Sequence, residues 1–258
     1  MSVQIHSQAL VSERAFLSCG VEVGAFSIIE DEVKIGENTK IGPNCFVTGA
    51  TTIGKSCRIF KGAVVGSPPQ DLKYKGEKTY LEIGDNNVIR EFVTINPGTE
   101  EDSKTIIGSN NLIMAYSHIA HNCKIGNNCI LANGTTLAGY VTIEDRVVVG
   151  GLVAVHQFCR IGRFSIVGGC SKVVQDIPPY SLVDGHPAKV RGINLVGLKR
   201  ANFSKETIDI LHRAFKILFF KGHTLKSALE IVEKQIPLIP EVEELLQFLK
   251  DSKRGISR

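Results

Sequence analysis

"IMAYSHIAHNCKIGNNCILANGTTLAGYVTI", Ile113 to Ile143, carries an aliphatic residue at every sixth position: Ile113, Ile119, Ile125, Leu131, Leu137 and Ile143. The phase extends both ways. It holds unbroken from Ile5 to Val65, returns at Ile83, Ile89 and Ile95, and runs on from Ile107 to Val173. A helix repeats its apolar face about every 3.6 residues and a half-buried strand every second one, so neither explains a strict hexad. A prism-shaped parallel β-helix does, with one inward aliphatic side chain per flat face. Three hexads form one coil, coils stack at about the 4.8 Å strand spacing, and residues 18 apart in sequence stand above one another.

The residue after the aliphatic is often glycine (Gly24, Gly36, Gly42, Gly54, Gly84, Gly108, Gly126, Gly162). This predicts tight corners at positive φ. Two stretches break the register, "SPPQDLKYKGEKTYLE" at 67–82 and "PGTEEDSKT" at 97–105. They are expected to be loops thrown out from the prism, and loops on a rigid scaffold often carry function. The prolines of "DIPPYSLVDGHPAKVRG" end the prism. The chain therefore divides into a β-helical part, residues 1–186, and a helical part, residues 187–258. Helical apolar spacing over "SKETIDILHRAFKILFFKG", "TLKSALEIVEKQ" and "PEVEELLQFLKDS" predicts three helices, with Ser204 and Thr224 at starts and Gly222 at a stop.

With 258 residues, 43% hydrophobic and 22% charged, the chain is expected to be globular. No apolar run approaches the roughly 18–20 residues of a membrane span, and the start lacks the zones of a signal peptide, so a cytoplasmic location is expected. Seven cysteines without an export signal argue for reduced thiols. Five of them (Cys45, Cys57, Cys123, Cys129, Cys159) fall four places after a hexad aliphatic, a slot otherwise held by small residues such as Ala15, Ser27, Thr39 and Thr135. They are expected to be packing residues rather than nucleophiles. Charge is uneven: from Pro187 onward 14 Lys and Arg face 8 Asp and Glu, a net +6 that leaves −2 for the rest. Such a basic face suits an acidic partner.

His121, Gly139 and Gln157 are 18 apart and form one outward column, with His118 and His156 beside it. A neutral imidazole takes a proton from an alcohol near neutral pH. A bare glycine one coil away offers an unobstructed N–H to an oxyanion. Together they point to acyl transfer to a hydroxyl from an already activated donor, with no covalent enzyme intermediate.

These hexads, with "PQDLKYKGEKT", "SHIAHNC", "AVHQFC", "VGGCSKVVQDIPPY", "GLKRANFS" and the basic helical tail, resemble the UDP-N-acetylglucosamine O-acyltransferases of lipid A biosynthesis over essentially the whole chain. The resemblance implies a left-handed parallel β-helix with a C-terminal helical domain, and a homotrimer with active sites between subunits. It also implies transfer of an (R)-3-hydroxyacyl group from acyl carrier protein to the 3-hydroxyl of UDP-N-acetylglucosamine, with no metal, nucleic acid or membrane span. It makes His121 the general base, Gly139 the oxyanion donor, Asp71 and Lys73 holders of substrate hydroxyls, and His118, His156 and Gln157 cleft residues. Asn194 and Arg200 would receive the nucleotide phosphates, and Gly169 would set acyl-chain length. Asn122 departs from the Asp that many relatives carry after the histidine. Tyr140 stands where a cleft histidine is usual, and Val196 and Ala201 replace polar residues, so a 3-amino sugar stays open as acceptor. The rival from another class is a zinc hydrase on the same prism using His118 and His121. It has no use for the Asp71 loop, Arg200 or the tail. Acetyltransferases that use coenzyme A share the hexads, but a basic helical end fits a protein carrier better.

Overall fold

The structure, a computed structural model, describes residues 2–258. Short parallel strands, most of two residues, wind into three sheets that form the faces of a triangular prism. The first sheet starts at Gln4–Ile5, the second at Leu10–Val11 and the third at Phe16–Leu17. Each strand ends on its hexad aliphatic, and Ile5 pairs with Val23, Val11 with Ile29 and Leu17 with Ile35, the expected offset of 18. From Val23 to Val173 these side chains fill the interior. Burial of a continuous aliphatic stack is what holds so short a set of strands together, since two-residue pairings have little stability of their own.

The corners differ from expectation. The glycines that follow the aliphatics are not at positive φ; the left-handed residue lies two places later, at Asn38, Asn44, Ser56, Asn86, Asn110 and Asn128 among others. Asparagine is the side chain best tolerated there after glycine. The glycines answer to close stacking instead: a Cβ on Gly36 would stand 2.6 Å from the carbonyl carbon of Gly54, and one on Gly54 would stand 2.6 Å from that of Gly84.

Both extruded loops close earlier than expected. Tyr80–Ile83 and Lys104–Ile107 are already strand, because Ala50, Tyr80 and Lys104 pair in register and lengthen the third sheet there. The loops change the pairing offset, joining Ile59 to Ile89 and Ile89 to Ile113, yet leave the interior column unbroken.

At the far end the first sheet is extended by a hairpin of Ser181–Gly185 and Ala188–Ile193. Its turn holds residues 186 and 187, where the sequence divides the chain. Four helices follow rather than three: α1 Leu195–Arg200, α2 Lys205–Phe215, α3 Leu225–Gln235 and α4 Pro240–Asp251. The six-residue α1 is too short to show an apolar period, which hides it in the sequence. A single π-turn, Lys216–Phe220, prolongs α2. The expected caps are present, Ser204 accepting from the Thr207 N–H and Thr224 from the Ser227 N–H. Helix α4 locks onto the prism: the buried Tyr180 hydroxyl donates to Glu244, and the Arg160 guanidinium lies 3.9 Å over the Phe248 ring.

Candidate active site

His118 pairs with Thr136 and Thr136 with Ala154, so the corner after the second sheet stacks His121, Gly139 and Gln157 on successive coils. The imidazole lies directly on the glycine. A Cβ at Gly139 would stand 2.5 Å from His121 Cε1 and 2.6 Å from Nε2, so a larger residue would displace the ring. Main chain ties the column together, the Tyr140 N–H donating to the His121 carbonyl at 3.0 Å and the Phe158 N–H to the Gly139 carbonyl at 3.2 Å. The Gly139 N–H itself has no acceptor among the described residues. At the corner after the third sheet the equivalent N–H groups are taken by side chains: Lys55 donates to Asp85, Asp85 to Ser109, Ser109 to Asn127 and Asn127 to Asp145. Beside His121 a donor is left free.

The loops supply the rest. Asn96 Nδ2 donates to the Ser67 and Pro68 carbonyls and pins the base of the first loop to the prism. Within the loop Asp71 Oδ1 accepts from the Lys73 N–H at 2.9 Å. The Asp71–Lys73 spacing is thus a backbone turn and not an ion pair, and it leaves Asp71 Oδ2 facing His121 Nε2 at 3.7 Å. From the second loop, Thr99 donates to Asn122 Oδ1 at 3.0 Å. Asn122 Nδ2 reaches Glu100 Oε2 at 3.2 Å, and the Tyr140 hydroxyl donates to Glu100 Oε1. Asp71, Lys73, Glu100, His121, Tyr140 and Gln157 line one cavity of about 880 Å³. Glu100 was not singled out in the sequence; its only signal there is membership of a stretch that breaks the hexads.

Burial is the main cause, and neighbouring His121 the second, that holds the His118 imidazole below its ordinary range, so it is neutral at pH 7. Its Nδ1 lies 2.7 Å from the Thr94 hydroxyl. Burial first, and the Glu100 carboxylate second, push Tyr140 up to about 12, so its phenol stays protonated. The phenol's hydrogen bond in turn holds Glu100 below the usual carboxylate range.

Other expected residues lie elsewhere. His156 is on the adjoining column and meets Arg254 of the C-terminal tail at 2.8 Å. Asn194 is buried, its amide capping α1 by accepting from the Gly197 N–H and donating to the Phe164 carbonyl. Its part is to hold α1, whose last residue is the exposed Arg200. Gly169 sits at the corner after the first sheet, an edge of the prism away from His121, where an added Cβ would meet the Gly151 backbone, its O at 3.3 Å and its N at 3.9 Å. The five hexad cysteines are buried, and desolvation pushes the Cys123 thiol up to about 12. A thiol so hard to ionise is no nucleophile. Cys123→Ala is expected to keep near-parental turnover and to cost about 1 kcal/mol of stability in urea unfolding.

Comparison with known proteins fits this arrangement. Residues 176–257 match the family model described as UDP N-acetylglucosamine O-acyltransferase, domain 2, and residues 14–49 and 104–139 match that of the bacterial transferase hexapeptide. The acyl-(acyl-carrier-protein)–UDP-N-acetylglucosamine O-acyltransferase of Thermodesulfovibrio yellowstonii is 50% identical over 256 residues, which cover 99% of each chain. The chain belongs to the UDP-N-acetylglucosamine O-acyltransferase family. Solved structures agree. The UDP-N-acetylglucosamine acyltransferase of Francisella novicida matches this acyltransferase with a TM-score of 0.95 at 39% identity, over 99% of this chain and 94% of that one. The enzyme from Campylobacter jejuni gives 0.92 at 42% identity, over 98% and 99%. This acyltransferase is thus a left-handed parallel β-helix with a C-terminal helical region, as the sequence leads one to expect. No helix among its described residues is long and apolar enough to cross a membrane.

Proposed function

We propose that this acyltransferase moves an (R)-3-hydroxyacyl chain from acyl carrier protein to the 3-hydroxyl of UDP-N-acetylglucosamine, the first step of lipid A biosynthesis, by direct general-base attack. The observation that carries the mechanism is the His121 ring resting on Gly139, with a free N–H beside it. His121 Nε2 takes the proton of the sugar hydroxyl as its oxygen attacks the thioester carbonyl. The oxyanion that forms accepts from the Gly139 N–H, a donor of a kind worth about 10² to 10³ in rate. Collapse expels the carrier thiolate, which recovers the proton from the imidazolium. Asp71 and Lys73 line the cavity where the acceptor's other hydroxyls would lie. Arg200, at the end of a helix that Asn194 caps, is the guanidinium proposed for the diphosphate. The net +6 from Pro187 onward suits an acidic carrier.

Gly169 and His121 stand on different corners, so a chain-length role for Gly169 needs the groove to be closed by a second copy. The Gly169 corner supports this, since Phe92, Tyr116 and Leu152 project from it 44%, 66% and 69% exposed, an apolar stripe that one chain leaves uncovered. We therefore read the working form as a homotrimer in the cytoplasm, with each site between two copies. Gly169→Met is expected to shorten the acyl chain accepted, because the added side chain would enter the groove; an unchanged chain profile would remove Gly169 from this role. The function itself is tested by incubating the protein with UDP-N-acetylglucosamine and 3-hydroxyacyl carrier proteins of graded length and weighing the product. A sugar nucleotide heavier by one hydroxyacyl group is expected, and no product from any donor would overturn the reading.

A further inference from the structure

An imidazole acts as a base only at the nitrogen that lacks a proton, and the partner of the other nitrogen decides which one that is. His121 Nδ1 lies 2.9 Å from the side-chain amide of Asn122. An amide end can be a donor or an acceptor, so this contact alone fixes nothing. Its other end does. That end lies 3.2 Å from Glu100 Oε2, and an ionised carboxylate can only accept. Glu100 is ionised at neutral pH, held so by the Tyr140 hydroxyl on its other oxygen. The amide nitrogen must therefore face Glu100, and the amide oxygen must face His121 and the Thr99 hydroxyl. An oxygen at Nδ1 requires a proton there. That leaves the lone pair on Nε2, the nitrogen that rests against Gly139 and faces Asp71.

We propose that Glu100 is a positioning residue that, through the amide of Asn122, holds His121 in the Nδ1–H form and so directs its basic nitrogen into the cavity. Tyr140 completes the device: its hydroxyl occupies Oε1 while its ring meets the imidazole edge-on at 5.4 Å between centroids, leaving Oε2 to orient the amide. Asn122 also suits its backbone, which sits at φ 59°, where asparagine and aspartate are the side chains tolerated best. The Glu100 carboxylate also meets its own N–H and the Ser103 hydroxyl, but the loop is closed without it, by the Ser103 hydroxyl accepting from the Glu100 N–H and by the Ser103 N–H on the Glu100 carbonyl. Its removal should leave the loop in place.

The proposal rests on His121 being the base, and its first test is independent of turnover. In the resting, unliganded protein labelled with ¹⁵N-histidine, His121 is expected to show the Nδ1–H tautomer by its nitrogen shifts and long-range couplings. In Glu100→Ala that form is expected to give way to a mixture. An Nε2–H tautomer in the parent overturns the proposal, whatever the chemistry of the site.

The second test is kinetic. Glu100→Ala is expected to lower kcat by about ten- to a hundredfold, the range for losing the group that orients an imidazole, with KM for the sugar nucleotide within about twofold. Asn122→Asp places an acceptor oxygen at Nδ1 that needs no orienting. The double variant Asn122→Asp with Glu100→Ala should therefore regain most of the kcat lost in Glu100→Ala alone. A double variant no faster than that single one, or a rise in KM at unchanged kcat, means that Glu100 acts on substrate or fold instead.

Discussion

His121→Ala is expected to abolish acyl transfer, by on the order of 10² to 10⁴ in kcat, the worth of a positioned general base. No neighbour can take over. His118 points along the second sheet, is held neutral by burial, and has its Nδ1 against the Thr94 hydroxyl. Asp71 belongs to an extruded loop, 3.7 Å from His121 Nε2 and not in the column that stacks on Gly139. The fold has little stake in the ring: His121 projects from a corner, and the coil beneath is held by Ile119 and by the main-chain bond from Tyr140 to the His121 carbonyl. Product mass and circular dichroism together check this. Near-parental turnover in a folded variant would refute the assignment of the base.

Gly139→Ala is expected to cost about 10² to 10³ in kcat through one methyl group. That methyl would stand 2.5 Å from Cε1 and 2.6 Å from Nε2 of His121, so the ring must move. The motion parts the two groups that act together, swinging the base away from the unpartnered Gly139 N–H. It also strains the bond from Nδ1 to Asn122 at 2.9 Å. Backbone conformation is not the cause, because Gly139 lies outside the left-handed region and alanine can adopt its φ. A small change in the thermal midpoint is therefore expected alongside a large loss of turnover. Parental kcat in this variant would show that the ring and the glycine do not cooperate.

Much of the site was legible because the prism converts spacing into position. Once residues 18 apart are known to stack, His121, Gly139 and Gln157 become neighbours without any coordinates. The same arithmetic placed Cys123 in a buried slot and disposed of it as a nucleophile. Where the expectation was wrong, the reason was local. The hexad glycines carry a signal of close packing between coils, and a sequence does not distinguish a glycine needed for φ from one needed for space. The helix that Asn194 caps was likewise hidden, since a six-residue helix leaves no apolar period.

The sequence by itself determined the prism, its three faces, its inward column and the pairing of an imidazole with a bare amide, because in a β-helix every one of these is a function of residue number. Only the tertiary structure decided what surrounds that pair. Asp71, Thr99 and Glu100 belong to stretches outside the repeat, where no period relates distance along the chain to distance in space. Loop closure brought Asp71 to one nitrogen of His121 and Glu100, by way of Asn122, to the other.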